Sequence, residues 1–232
     1  MIITQPKEFD VVLDYLRSVE AHRIFLIGCG QCATAAGTGG EPEVTAAAQR
    51  FAAAGFEIEG IAISEVTCHS GGTKLLLRKH KDELASVDAV VVFSCGAGVQ
   101  TVADALSCPV FPALDSSFLG NVIRHGEFEE RCQTCGDCVL ALTAGICPVT
   151  QCPKGLLNGP CGGMWDGMCE VIPDRRCTHV RIIEKLEAQH RPCGEALSPK
   201  NFGVKIKPGH ISVRRKYQGH HHAPTPEGGE RS

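Results

Sequence analysis

Eight cysteines lie between Cys132 and Cys177, at 132, 135, 138, 147, 152, 161, 169 and 177, in a stretch rich in glycine and proline with few long apolar runs. Such a segment cannot build a conventional core unaided, so something bound to its thiols must supply the missing stabilisation. The whole chain has 14 cysteines in 232 residues. The N-terminus lacks a charged region leading into an apolar one, and no run of about eighteen apolar residues occurs, so the expected location is the cytoplasm without membrane insertion. Thiols stay reduced there, which makes metal binding or catalysis the stronger reading and a disulfide framework the weaker one. A net charge of -3 with a pI near 6.4 gives no basic footprint for nucleic acid.

The first 120 residues have a different texture. Phe9, Val12, Leu13, Leu16 and Val19 repeat at helical spacing. Four short apolar runs follow at 23–27, 58–63, 89–93 and 110–114, with helix-length segments at 43–54, 72–85 and 98–106 between them. Strands buried on both faces look like this, and the alternation predicts an α/β fold, a Rossmann-like or flavodoxin-like parallel sheet. The expected organisation is an α/β domain over 1–125, a cysteine-rich, ferredoxin-like iron-sulfur module over 126–198 with a helix near 176–188, and a polar, disordered tail over 199–232 that carries His220, His221 and His222.

Cys132, Cys135 and Cys138 form C-x2-C-x2-C, a tight loop that lets three thiolates reach one cubane, and Cys147-Pro148 is the kind of pair that closes ferredoxin motifs. Eight residues instead of three separate Cys138 from that pair, so the fourth ligand stays open. With Cys152, Cys161, Cys169 and Cys177 the arithmetic suits two [4Fe-4S] clusters. Two structural zinc sites are the alternative, although zinc ribbons usually show two separated C-x2-C pairs.

A second constellation lies in the α/β part. Cys29 and Cys32 follow the first apolar run, Cys68 the second and Cys95 the third. Carboxyl ends of parallel strands share one edge, so these four can converge on a metal, either a third [4Fe-4S] cluster or Zn2+. A redox C-x-x-C pair with two buried bystanders is the competing reading. Gly28, Gly30 and Ala33 also satisfy the dinucleotide fingerprint, but Gly37-Thr38-Gly39-Gly40 intervenes before a helix starts near Pro42, which argues against it. Gly71-Gly72-Thr73-Lys74 is a helix start and not a phosphate loop. His69 reads as a metal ligand or a hydrogen-bonded loop histidine, Cys108 and Cys193 as free thiols, and Trp165 as a shield over a cluster or ordinary packing. No catalytic triad or carboxylate pair is visible.

The string Cys152-Pro153-Lys154-Gly155-Leu156-Leu157-Asn158-Gly159-Pro160-Cys161-Gly162-Gly163, preceded by the C-x2-C-x2-C loop and followed by Cys169-Glu170, resembles the MetV family. These are small cysteine-rich partners of methylenetetrahydrofolate reductase in acetogens and related anaerobes. The Gly28-Cys29-Gly30-Gln31-Cys32 loop is similar to that family's N-terminal part, so the likeness runs over nearly the whole chain; the polar extension after residue 199 departs from it. The resemblance implies a non-catalytic electron-transfer subunit in the one-carbon metabolism of the Wood-Ljungdahl pathway. It would pass electrons through its clusters to a flavin-containing catalytic subunit, with room for a further electron-donor protein. Cys132, Cys135, Cys138, Cys147, Cys152, Cys161, Cys169 and Cys177 would be cluster ligands, and the flavin would belong to the partner and not to this chain alone. A zinc-stabilised scaffold of the same complex and an independent metal-dependent enzyme using the α/β edge are the alternatives.

Overall fold

The computed structural model describes residues 1–193 and 197–198, so the polar tail and its three histidines lie outside the described residues. In chain order the elements are β1 Ile2–Pro6, α1 Phe9–Ser18, β2 Arg23–Cys29, α2 Cys32–Ala35, α3 Glu41–Ala53, β3 Glu57–Ser64, α4 Ser70–Lys79, α5 Lys81–Leu84, β4 Ala89–Phe93, α6 Gly96–Ala103, β5 Val110–Pro112, β6 Leu114–Arg124, β7 Glu127–Cys132, α7 Pro148–Gln151 and α8 Thr178–Ala188.

The four apolar runs form a parallel sheet in the order β3-β2-β4-β5. Alternation along β2 divides its side chains between two cores. Ile24 and Leu26 join Leu13 and Leu16 of α1 and Val44 and Phe51 of α3. Phe25 and Ile27 join Leu77 of α4 and Val102 of α6. Helices therefore cover both faces, as a parallel sheet requires. Each fully buried Leu, Val or Phe of these layers is worth about 1.5–3 kcal/mol against exposure. Gly60 is needed at its place in β3 because a Cβ there would run into the Phe25 ring.

The sequence pattern extends one helix over 72–85; the chain instead breaks at His80 into α4 and α5, with no proline or glycine at the joint. A larger difference is a second sheet. β1, β6 and β7 pair antiparallel in the order β1-β6-β7. The apolar run at 110–114 belongs to both sheets, since β5 ends at Pro112 and Leu114 opens β6. The turn between β6 and β7, with Gly126 at φ 78°, falls where the sequence suggested a domain boundary.

The antiparallel sheet lies against the carboxyl edge of the parallel one. Thr4 of β1 hydrogen-bonds the Thr38 hydroxyl at 2.6 Å, both buried. Ser116 of β6 accepts the Gly96 N–H at 2.9 Å, beside Cys95. Its far strand, β7, ends in Cys132, so one sheet joins the α/β edge to the cysteine-rich segment. No helix among the described residues is long and apolar enough to cross a membrane.

Candidate metal centres

β2 ends at Cys29, β3 ends four residues before Cys68, and β4 ends two residues before Cys95. The strand order reverses at β2, whose neighbours are β3 and β4, and the crevice at such a point is where open α/β sheets bind ligands. Burial raises the pKa of the Cys68 thiol, and so does the proximity of the ionisable Cys95, Cys29 and Cys32 side chains. Cys95, Cys29 and Cys32 thus lie within electrostatic reach of the Cys68 sulfur. Cys29 is 6% exposed. Burial works to raise its pKa, but the Thr67 hydroxyl and backbone N–H groups of Thr67, Gln31 and Ala33 outweigh that and hold it below the ordinary thiol range. A buried sulfur that accepts several N–H donors is a suitable metal ligand once ionised.

The Gly-rich loop at this crevice is not shaped as a dinucleotide cradle. Gly39 folds back between the strand ends, where its carbonyl accepts the Cys29 N–H at 2.9 Å. A Cβ on Gly39 would collide with the Phe93 carbonyl oxygen. The Glu43 carboxylate accepts the Gly40 N–H at 2.9 Å and so caps α3 with a negative charge where a pyrophosphate would sit. His69 proves to be the hydrogen-bonded loop histidine: its Nδ1 accepts the Gly72 N–H at 3.0 Å and caps α4.

In the cysteine-rich segment, one small cavity, enclosing about 20 Å³, is lined by Cys152, Cys161, Cys169 and Cys177 with Lys154 and Glu170 at its rim. These thiols come from four places: the end of α7, the loop after Pro160, the strand-like stretch after Met168, and the N-cap of α8. The backbone that gathers them is tightly tied. Trp165 and Met168 form a hairpin pair through Asp166 and Gly167, both at positive φ (46° and 74°). Met168 in turn bridges Arg176, and the Cys177 N–H donates to the Gly167 carbonyl at 2.8 Å. His179, also on the cavity wall, hydrogen-bonds the Leu156 carbonyl at 3.0 Å.

Cys132, Cys135, Cys138 and Cys147 are not among the residues that line this cavity. The Thr134 N–H donates to the Cys132 sulfur at 3.2 Å, and the Cys135 thiol lies 3.7 Å from the Asp137 carbonyl. Thr150 and Gln151 of α7 hydrogen-bond the carbonyls of Arg131 and Glu130 at 3.1 and 2.7 Å, which holds Cys147, the N-cap of α7, against the strand that ends in Cys132.

Among the described residues no three His, Cys, Asp or Glu side chains stand close enough to hold an ion. All fourteen cysteines are free thiols. Four thiols on one cavity are, by their chemistry, the donor set of a four-thiolate centre, iron-sulfur or zinc.

Cys108 packs half-buried in the second core, where burial raises its pKa, and Cys193 is exposed. Trp165 is 84% exposed, so it neither shields the cavity nor packs in a core. Sequence reasoning missed the Lys154–Glu170 ion pair. Opposite charges directly beside the cavity cysteines, in Cys152-Pro153-Lys154 and Cys169-Glu170, were the available signal.

No curated protein and no solved structure matched the chain. Residues 111–202, running from within β5 through the whole cysteine-rich segment, match the family model described as methylene-tetrahydrofolate reductase C terminal, which is consistent with the resemblance that the cysteine string carries.

Proposed function

We propose that this chain is the electron-transfer subunit of a methylenetetrahydrofolate reductase complex and delivers electrons to a flavin held by a separate catalytic subunit. The observation that carries the reading is the gathering of Cys152, Cys161, Cys169 and Cys177 around one cavity, inside the segment that matches the reductase family. A four-iron cluster in such a setting exchanges single electrons without making or breaking covalent bonds to a substrate.

In this reading the eight cysteines form two sets of four. Cys152, Cys161, Cys169 and Cys177 hold one [4Fe-4S] cluster, and Cys132, Cys135, Cys138 and Cys147 hold the second. Cys29, Cys32, Cys68 and Cys95 hold a third centre, a further cluster or zinc, at the α/β edge. The antiparallel sheet supports this arrangement mechanically, because β6 contacts the Cys95 loop through Ser116 and its neighbour β7 ends in Cys132. The chain's own part is to supply thiolates, fix their spacing and exclude water with Pro153, Leu156 and Met164 around the cavity. No flavin or folate site is assigned to this chain.

The test is flavin reduction in the assembled complex. Catalytic subunit and full-length chain are mixed without oxygen, an external reductant is added, and flavin bleaching is followed. The chain accelerates bleaching, and Cys161→Ser abolishes the acceleration. Equal rates with and without the chain would refute the relay.

A further inference from the structure

Reduction of a thiolate-ligated cluster adds one negative charge to the site without forming or breaking a bond, so fixed charges at the cavity wall set how readily the electron enters. Of the residues that line this cavity, Lys154 and Glu170 carry the formal charges, with His179 engaged at the Leu156 carbonyl. Lys154 and Glu170 form an ion pair with each other. The Cys161 thiol lies 3.7 Å from the Glu170 carboxylate. Lys154 also lies close enough to the Cys161 sulfur to feel its charge. The approach of Glu170 depends on Gly163, where a Cβ would overlap the carboxylate. Two opposite charges thus meet at one cluster-ligand sulfur, each held there by the other.

We propose that the Lys154–Glu170 pair sets the reduction potential of the cluster held by Cys152, Cys161, Cys169 and Cys177, with Lys154 raising it and Glu170 moderating Lys154. The inference rests on the reading that these four cysteines hold a four-iron cluster. Lys154 and Glu170 are positioning residues for charge and do not ligate. Removing the ammonium makes electron entry harder, and removing the carboxylate frees the ammonium and makes it easier. The two neutral variants therefore move the potential in opposite directions, which a purely structural role would not produce.

The experiment is a redox titration of anaerobically purified full-length chain with dithionite, followed by electron paramagnetic resonance, with iron content measured on every sample. Lys154→Gln lowers the reduction equilibrium constant of one cluster about tenfold, a shift of about 59 mV for a one-electron couple. Glu170→Gln shifts the same cluster the other way, Lys154→Arg restores the wild-type value, and the remaining centres keep theirs. Should Lys154→Gln lose iron, Lys154→Arg and Glu170→Gln still decide by their potentials. Full iron content with all potentials unmoved, or with both neutral variants shifted in the same direction, overturns the inference alone. Iron content left unchanged by Cys161→Ser overturns the four-cysteine cluster and the inference with it.

Discussion

Replacing Gln151 by leucine removes the polar joint of the cysteine-rich segment while nearly conserving volume. Gln151 is 3% exposed, and three of its groups are in use. Its side-chain amide donates to the Glu130 carbonyl at 2.7 Å, its side-chain oxygen accepts from Arg175 at 2.5 Å, and its backbone carbonyl accepts the Thr178 hydroxyl at 2.6 Å. Leucine keeps only the last. One neutral hydrogen bond is worth about 1 kcal/mol and one to a charged group about 2 kcal/mol, so local opening becomes easier by about 3 kcal/mol. Arg175 retains Glu129 at 3.3 Å, which keeps the cost from rising further. At about 1.4 kcal/mol per tenfold, the loss is about two powers of ten in the opening equilibrium. Amide hydrogen exchange on the anaerobically purified chain reads this directly. Protection in β7 and α7 falls about 100-fold, while β2 and β4 are unaffected. A change under about threefold, or an equal loss across the parallel sheet, would refute the claim that the Gln151 side chain ties α7 to β7 and to Arg175.

Three other perturbations follow from the α/β part. Gly39→Ala forces a Cβ against the Phe93 carbonyl and lies 2.9 Å from the Ala33 Cβ; it destabilises by about 2 kcal/mol, and calorimetry should show the melting temperature about 4–8 °C lower. Asp88 accepts the backbone N–H groups of Arg23 and His22, which hold its carboxyl below the usual range. Because the folded value is the lower one, its stabilisation is complete above the ordinary Asp value and disappears as pH falls through the depressed one. Asp88→Asn therefore makes the acid limb of a melting-temperature profile shallower, and an unchanged limb would contradict this. Cys108→Ser leaves the metal content of the chain unchanged, as metal analysis will show, because Cys108 is a core thiol and not a ligand.

The parallel sheet was legible because Arg23-Ile24-Phe25-Leu26-Ile27 and Ala89-Val90-Val91-Val92-Phe93 are apolar on both faces, a pattern with few competing readings. The antiparallel sheet was not. β6 reads Leu-Asp-Ser-Ser-Phe-Leu-Gly-Asn-Val-Ile-Arg, is exposed over much of its length and shifts register against both neighbours, so no clean period of two survives. Cysteine placement at the strand ends followed from topology alone, as Cys29, Cys68 and Cys95 demonstrate. The grouping of Cys152 with Cys161, Cys169 and Cys177 did not, because it depends on Met168 pairing with Arg176 and on the Cys177 N–H bonding the Gly167 carbonyl, contacts that cysteine spacing does not encode. The role of His69 was decided by one local hydrogen bond that sequence spacing does not encode.

Metal analysis of chain purified without oxygen, combined with electron paramagnetic resonance after dithionite reduction, tests the central claim most directly. The account predicts about eight irons per chain from the cysteine-rich segment, rising to about twelve if the α/β edge also holds a cluster, with signals of reduced four-iron centres. Zinc without iron would contradict it, remove the electron relay, and leave the four-thiol cavity as a structural zinc site.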